Sequence, residues 1–326
     1  MGDDPERLYR LDGVAHIAGV INDEIVLVPQ RCIRSMRRQQ GMRLDERYVP
    51  YLQMAGLYHL ARLNDRWFRL DKPLVSTFVE RWRPEMHTFH MPFGECTITF
   101  QDVAYELGLP VAGRYVSGCL IDFQIYIQGG RPAWVWFQEF LGVIPPPSQV
   151  QKFAVNCTWF HETFGEYPER VDEETVRRFA RAYIMMLLGT QLFANKSGNR
   201  IHIRWLPYLA RLEEMGTYSW GSTALAWLYR CMCRVANRHV VKGSGYNLSG
   251  SEKGPRVQMW RLRIDMLQPR DFIWMPYNSP EVLQVVHPEV LEPRHTAVWR
   301  SVTSLIYFTV IEWHQIDRIL PQFSGV

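Results

Sequence analysis

Histidine and cysteine are the residue types in this sequence that are best suited to metal binding. His87 and His90 precede Cys96, and Cys231 is separated from Cys233 by one residue. A structural zinc site requires four such ligands that converge on one point. The two histidines are three positions apart on a predicted strand and should face opposite sides, while the two cysteines lie in an apolar helical pattern in which their side chains diverge. The sequence therefore predicts no metal site.

The motifs of nucleophilic catalysis and of nucleotide binding do not occur in the sequence. There is no G-x-S-x-G, no P-loop and no G-x-G-x-x-G after a strand, and neither Cys157 near His161 nor Ser222 has a recognisable motif around it. A pyridoxal phosphate enzyme would need a Schiff-base lysine. Lys196 is the least implausible of the five lysines, but a polar turn explains it better. We therefore predict no catalytic residue and no cofactor, with a hydrolase or transferase that has a polar pocket near Glu312 as an alternative.

The cationic side chains are mostly arginine, because five of the 37 are lysine. Arginine binds phosphate and carboxylate groups bidentately. Five arginines near the start of the chain are candidates for phosphate contact or nuclear import: Arg31, Arg34, Arg37, Arg38 and Arg43. A second face at Arg177, Arg178 and Arg181 would extend such a surface. A solvated helical face is the favoured interpretation of the first group, so binding of DNA or RNA is an alternative hypothesis.

The overall composition is typical of a folded, mildly basic protein. The 326 residues are 47% hydrophobic and 13% aromatic, and the net charge is +4, so a substantial core can form. The six cysteines show no disulfide-framework spacing and no signal peptide precedes them, which indicates a reducing, intracellular location. No window approaches about eighteen uninterrupted apolar residues, and we expect no membrane span.

The hydrophobic periodicity predicts a mostly α (α+β) fold, in which a compact set of helices carries a small antiparallel β-hairpin. Residues 1–47 are predicted to form a basic N-terminal extension, and residues 48–322 a helical domain with a flexible loop at 243–256. Strand-like patterns occur in four segments: 23–28, the hairpin around 93–95, then 272–274 and 305–312.

Capping residues indicate where several helices begin. Asp71 and Asp172 are predicted N-caps, the first followed by Pro73 and the second by an acidic first turn, and Pro84 should end the helix that Asp71 begins. Further helices are predicted at 101–107, 134–141, 205–212, 222–235 and 260–267, of which 222–235 is apolar all round and should be central and buried.

The stretch at 98–113 is similar to the opening of a helix-turn-helix. A helix at 101–107 would end at Gly108 and Pro110. A DNA-reading motif then needs a second amphipathic helix, but residues 111–118 contain two glycines and β-branched residues, which disfavour a helix. We therefore predict a structural role, in which Asp102 and Glu106 serve as capping and solvated side chains rather than as a nuclease site.

Several short segments occur in a fixed order along the chain: 79–85, 87–90 with 94–95, 97–99, 101–104, 107–110, 192–193, 195–199, 218–222, 224–230, 271–274, 276–277, 310–315 and 317–318. Their most distinctive residues are Trp82, Arg83, Pro84, His87, Phe89, Asp102, Gly108, Trp220, Trp227, Trp313 and His314. Together these segments resemble the plant mobile domain family, also called aminotransferase-like, over roughly residues 48–322. Their co-occurrence in family order is more specific than any single segment. The chain departs from the family pattern after Arg230, where a Gly- and Ser-rich loop stands in place of a Gly-Pro-Leu segment and a Trp-rich helix.

The resemblance implies a non-enzymatic function. Members of the family are carried by transposable elements and by plant host genes, and host members are associated with the nucleus, transposon silencing, gene expression and meristem maintenance. They are thought to act with a phosphatase-like partner protein. The resemblance implies no established catalytic residues, and it leaves the oligomeric state open. We therefore expect a nuclear protein-interaction module.

Overall fold

The computed structural model describes His16 and residues 42–64, 71–118, 133–166, 171–194, 199–237, 253–285 and 288–323. Several sequence predictions fall elsewhere. Arg31, Arg34, Arg37 and Arg38, with most of the predicted N-terminal extension, lie outside the described residues, as do Lys196 and residues 243–252 of the predicted loop.

The described residues are mostly helical, which confirms the predicted mostly α (α+β) fold class. The α-helices, numbered in chain order, are α1 Val49–Met54, α2 Tyr58–Asn64, α3 Lys72–Arg81, α4 Phe100–Leu107, α5 Ala133–Leu141, α6 Cys157–Phe164, α7 Glu173–Met186, α8 Leu206–Leu209, α9 Leu212–Met215, α10 Trp220–Val235, α11 Lys253–Asp265, α12 Pro280–Val285 and α13 Pro293–Trp299. No helix in the described ranges is long and apolar enough to cross a membrane.

The strands form three small antiparallel sheets. The first has the order β1-β2-β3, the second β4-β5-β6 and the third β7-β8. Their bounds are β1 Trp82–Arg83, β2 Thr88–Met91, β3 Gly94–Cys96, β4 Val150–Gln151, β5 Ala154–Asn156, β6 Arg200–His202, β7 Thr303–Tyr307 and β8 Val310–His314. The hairpin predicted around 93–95 is therefore confirmed, with Phe89 opposite Cys96 and His90 opposite Glu95.

The core is formed by one large aromatic cluster that joins the helices to the sheets. Its largest fully buried side chains include Trp82, Trp205, Trp220, Tyr183 and Tyr229. Burial of this much aromatic surface is the main favourable term in folding. The helix α10 lies at its centre and contacts α4, β1 and both strands of the third sheet.

The predicted caps explain why the helices around the first sheet begin where they do. The Asp71 side chain accepts a hydrogen bond from the Leu74 amide at 3.2 Å, and that of Asp172 accepts one from Thr175 at 2.8 Å. Thr99 and Asp102 form a reciprocal capping box at the start of α4, which satisfies amide donors that have no partner within the helix. The structural interpretation of Asp102 is confirmed.

Four predictions about elements are corrected by the structure. The loop predicted to reach 256 ends earlier, because α11 begins at Lys253 and continues into the helix predicted over 260–267. Residues 272–274 form no strand, since they lie between short 3-10 turns that begin at Pro269 and Pro276. Proline cannot donate a ladder hydrogen bond.

The remaining two corrections concern helices. The helix predicted over 205–212 is divided into a 3-10 turn at Ile203–Trp205 and the short helices α8 and α9, because the backbone of Arg211 leaves the helical region. In α10 the side chains are fully buried in the first two turns, whereas Arg230 and Arg234 are exposed. The helix is therefore central but is not buried all round.

Candidate functional site

The family-motif residues of the first hairpin meet those of β8 at one place on the molecule. His87 lies in the turn between β1 and β2, where its backbone adopts a φ of 53°. A positive φ is uncommon for a residue other than glycine and is several-fold enriched for histidine, asparagine and aspartate. The sequence analysis placed His87 on the strand, and the turn moves it away from His90, which pairs with Glu95 at 3.3 Å.

The imidazole of His87 is held on both of its nitrogens. Nε2 lies 3.0 Å from Glu312 Oε2, and Nδ1 donates to the backbone carbonyl of Trp313 at 3.2 Å. The ring stacks on Tyr229, with centroids 4.9 Å apart, and only 9% of the side chain is exposed. These contacts fix both the position and the orientation of the ring.

Cys233, in the second half of α10, lies beside the His87 imidazole. Its Sγ accepts a hydrogen bond from the indole Nε1–H of Trp82 at 3.3 Å and contacts the His87 ring. Burial alone would lower the pKa of His87, but the hydrogen bonds and charges of Cys233 and Glu312 outweigh it and raise the pKa to about 9. His87 is therefore a cation at neutral pH. Within the described ranges, no group of three or more His, Cys, Asp or Glu side chains is arranged to hold a metal ion.

Backbone and hydroxyl hydrogen bonds connect this cluster to the next segment of chain. Thr97 Oγ1 donates to the His87 carbonyl, and the Tyr229 hydroxyl donates to the Ile98 carbonyl at 2.7 Å. Burial raises the pKa of Tyr229 well above its usual value, so the hydroxyl stays protonated and able to donate. Gln322 bonds both the amide and the carbonyl of Thr97, at 2.9 and 3.0 Å.

An aromatic cleft opens beside the cluster. It has a volume of about 200 Å³. Its lining combines aromatic side chains with hydroxyl, amide and carboxylate groups. The lining residues are Phe78, Phe89, Cys96, Thr97, Ile98, Thr99, Gln101, Asp102, Phe272, Ile273, Trp274, Pro276, Tyr277 and Gln322. Ile273 is 74% exposed at this cleft. Such a cleft can accept an apolar group and orient it by a few polar contacts.

The outer edge of the cleft is acidic. The Tyr277 hydroxyl donates to Asp102 Oδ1 at 2.8 Å and to Glu106 Oε1 at 3.3 Å. Burial, followed by the charge of Asp102, raises the pKa of Tyr277, so the phenol remains a donor. Within the described part of the chain, neither carboxylate takes part in an ion pair. Among the described residues, the pair is thus an anionic feature with no cation paired to it.

The other family-motif residues support this region rather than line it. Arg83 and Trp220 are buried, Trp227 packs against Tyr307 at 4.8 Å, and His314 is fully buried beside Phe100. Pro84 follows β1 in the turn that leads to His87, and Gly108 ends α4 with a φ of 61°. Trp313 differs, because 52% of it is exposed.

The second arginine face proposed for phosphate contact is occupied by other groups. Arg177 pairs with Glu213 and Arg178 with Glu174. Arg181 is buried and donates to the Leu209 carbonyl at 3.2 Å. Burial keeps the Arg181 guanidinium from reaching a phosphate, whereas Arg177 and Arg178 are partly exposed. Binding of nucleic acid at this face therefore stays a prediction that rests on these two side chains. Of the first arginine group, Arg43 is described and is exposed.

Sequence analysis missed most of the contacts that form the cluster and the cleft. Cys233 and Glu312 are 146 and 225 positions away from His87 in the chain, and no local pattern reports a pairing over such distances. The partner of Asp102, Tyr277, was missed for the same reason. The family motifs were the one available signal, since they included His87, Asp102 and the segments around Tyr277 and Glu312.

The family model of the plant mobile domain matches residues 56–249, which is more than half of the chain and includes the first sheet, α4 and α10. The chain therefore belongs to the plant mobile domain family. No solved structure matches it significantly.

Curated relatives from Arabidopsis thaliana are similar over nearly the whole chain. Over 94% of its own length, this chain is 31% identical to the serine/threonine-protein phosphatase 7 long form homolog. It is 28% identical to Protein MAIN-LIKE 2 over 96% of its own length, and 30% identical to Protein MAINTENANCE OF MERISTEMS over 90%. The chain spans 25%, 50% and 65% of these relatives, respectively. The family description and the MAIN-like names do not indicate catalysis, although one relative is named a phosphatase homolog.

Proposed function

We propose that this protein is a non-enzymatic protein-interaction module that acts in the nucleus, in transposon silencing, gene expression or meristem maintenance. The aromatic cleft between the first hairpin and residues 272–277 is the observation that carries the proposal. The names of the relatives support the link to meristem maintenance. The partner we propose is a phosphatase-like protein, as the family resemblance implies.

The chemistry of the cleft indicates what kind of segment it binds. The aromatic walls favour one apolar side chain of the partner, and its burial there would provide most of the affinity. The Asp102–Glu106 pair lies at the edge of the same cleft and favours a lysine or arginine next to that side chain. The occupant is therefore a short partner segment in which an apolar residue adjoins a basic one.

A binding measurement with matched variants tests the proposal. The chain would be titrated with the phosphatase region of the phosphatase 7 long form homolog, and the affinity measured by calorimetry. Ile273→Asp places a charge at the cleft, whereas Leu262→Asp makes the same change at a 62% exposed position on α11. We expect Ile273→Asp to weaken binding by roughly tenfold or more and Leu262→Asp to leave it unchanged.

Two results would refute the proposal in different ways. Absence of binding by the unaltered chain would exclude this partner. Binding that both variants leave intact would exclude the cleft as the docking surface. Duplex and single-stranded DNA, titrated over a salt series, test the remaining alternative, because phosphate contacts predict an affinity that falls steeply as salt rises.

A further inference from the structure

The aromatic rings that line the cleft meet one another nearly at right angles. Phe272 and Trp274 have ring centroids 4.9 Å apart and an interplanar angle of 76°, and Phe78 and Phe89 are 5.5 Å apart at 84°. Tyr277 lines the same cleft. Rings at such angles can form adjacent walls of one recess, and the negative face of an aromatic ring attracts a cation.

Neighbouring rings hold these walls in place before anything binds. Phe93 of the first hairpin stacks on Phe272 at 4.5 Å and meets Trp274 edge-on at 5.6 Å. Tyr277 stacks on Tyr105 of α4 at 4.3 Å. Rings that are already packed lose little conformational entropy when a ligand arrives, so the recess is preorganised.

The carboxylate of the lining, Asp102, keeps its charge while its lone pairs are largely occupied. One oxygen accepts hydrogen bonds from the Thr99 amide at 2.6 Å and the Thr99 hydroxyl at 2.8 Å, and the other accepts one from the Tyr277 hydroxyl at 2.8 Å. All three donors are neutral, and none of the cations in the described ranges pairs with this carboxylate. The site therefore offers negative charge but few free acceptors.

These properties select the kind of cation that fits. The volume of about 200 Å³ lies below the roughly 300–1,000 Å³ of sites that hold a whole small molecule, so it suits the end group of one side chain. An unmodified lysine ammonium carries three N–H donors and is strongly hydrated. Methylation keeps the charge and replaces the donors with apolar groups, which suits aromatic walls and a carboxylate whose lone pairs are occupied.

We infer that the cleft binds a trimethyl-lysine side chain of the partner segment. The inference rests on the proposed function, because it assigns the basic residue of the segment that docks in the cleft. A choline headgroup carries the same cation, but the Asp102–Glu106 pair would repel the adjoining phosphate. A lysine brings no such anion, and its apolar neighbour would contact the exposed Ile273 at the cleft.

Calorimetry of the full chain with three matched peptides tests the inference. Each probe is an acetylated, amidated tetrapeptide in which leucine precedes lysine. The lysine is unmodified, trimethylated, or replaced by the neutral isostere in which tert-butyl takes the place of trimethylammonium. We expect the trimethylated peptide to bind at least about tenfold more tightly than either of the others. Equal affinities, or no binding of the trimethylated peptide at millimolar concentration, would overturn the inference.

Three variants locate the binding site. Glu106→Gln removes a charge from an exposed side chain, and Trp274→Leu removes an aromatic face while it keeps an apolar wall. Trp313→Leu makes the same change at an exposed tryptophan outside the cleft lining. We expect the first two variants to weaken binding of the trimethylated peptide by about fivefold each and the third to leave it unchanged. An unchanged affinity in both cleft variants would refute the assignment.

Two further titrations separate the alternatives. Phosphocholine should bind at least about tenfold more weakly than the trimethylated peptide, and comparable binding would overturn the choice of a lysine side chain. The phosphatase region of the phosphatase 7 long form homolog tests the proposed function independently. If it binds and the peptides show no preference for methylation, the inference fails and the proposed function stands. A preference for methylation without binding of that region would support the inference and exclude the proposed partner.

Discussion

At the scale of single residues, two histidines in the same region have opposite protonation states. His87 is buried but faces Glu312 and Cys233, and its pKa is raised to about 9. His314 is buried beside Phe100 without a carboxylate, and desolvation lowers its pKa to about 4. The difference arises from the neighbours, since burial by itself lowers the pKa of both.

The His87 shift predicts a pH dependence of stability. Because the folded pKa lies above the unfolded value of 6.5, the stabilisation is fully present below pH 6.5 and is lost as the pH rises towards 9. Urea unfolding of the wild type and of His87→Asn across this range measures it. We expect the difference in unfolding free energy between the two proteins to decrease with rising pH, and a constant or increasing difference would contradict the assignment.

The His314 shift has the opposite sign. The unfolded chain takes up a proton below pH 6.5, while the folded protein stays neutral at this position down to about 4. Stability should therefore fall as the pH falls from 6.5 to 4. Replacement of His314 by Gln, measured over the same interval, should remove part of this slope. A slope that is the same in both proteins would indicate that other groups cause it.

At the scale of elements, two helix-ending glycines form a matched pair. Gly108 ends α4 with a φ of 61°, and a Cβ there would lie 2.5 Å from the Cβ of His59. Gly142 follows α5 with a φ of 80°, but the nearest atom to its Cβ would be Nη1 of the Arg178 side chain at 3.3 Å. The two positions share the left-handed backbone and differ in the available space.

Alanine at each glycine should separate the two effects. Gly142→Ala is expected to cost about 1–2 kcal/mol, because of the backbone alone. Gly108→Ala adds the contact with His59 and should cost about 3 kcal/mol. Urea unfolding measures both values, and equal costs would show that the α2–α4 contact relaxes freely.

Three ion pairs join α11 to α3 and its N-cap, and they form the α3–α11 seam. The three pairs differ in how deeply they are buried. Arg261 pairs with Glu80, whose side chain is 8% exposed, and more open pairs join Arg81 to Asp265 at 2.5 Å and Arg256 to Asp71 at 3.0 Å. These contacts explain why a segment with a loop-like composition begins a helix at Lys253. They also make α11 sensitive to the removal of one buried charge.

A pair of substitutions tests that sensitivity. Glu80→Gln leaves the Arg261 guanidinium partly buried without its anion and should destabilise the fold by about 3 kcal/mol. Glu213→Gln removes the anion of an exposed pair with Arg177, where Glu213 is 55% exposed, and should cost less than about 1 kcal/mol. Comparable losses in the two variants would mean that burial does not determine the strength of the seam.

The sequence predicted those elements whose causes are local. The caps at Asp71 and Asp172 and the hairpin around Gly94 depend on neighbouring residues, and all of them occur in the structure. The aromatic segment at 272–274 was predicted as a strand, although its side chains pack on Phe93 at 4.5 Å instead of pairing. Tertiary packing overrides β-propensity in such a case.

The candidate site could be predicted in part. The family motifs included His87 and Asp102, but not the contacts that give them their properties. Cys233 was considered only as half of a metal motif, and its spacing from Cys231 gave no indication that His87 lies near it. Contacts between residues so distant in the sequence depend on how the hairpin, α10 and β8 pack, and periodicity does not specify that packing.

At the scale of the whole molecule, the aromatic cleft is the feature that the account depends on most. The first hairpin, the start of α4 and residues 272–277 form its sides, and the Asp102–Glu106 pair adds an anionic edge. The cleft adjoins the buried cluster around His87, because Phe89 lines the cleft and packs on Trp82 at 4.9 Å.

Hydrogen exchange of the chain, alone and with the phosphatase region of the phosphatase 7 long form homolog, is the most direct test of the proposed docking surface. Amide protection would be mapped by mass spectrometry. We expect binding to slow exchange at residues 93–102 and 272–277 and to leave exchange in the 173–186 helix unchanged. Binding that protects other segments while these two exchange as before would contradict it.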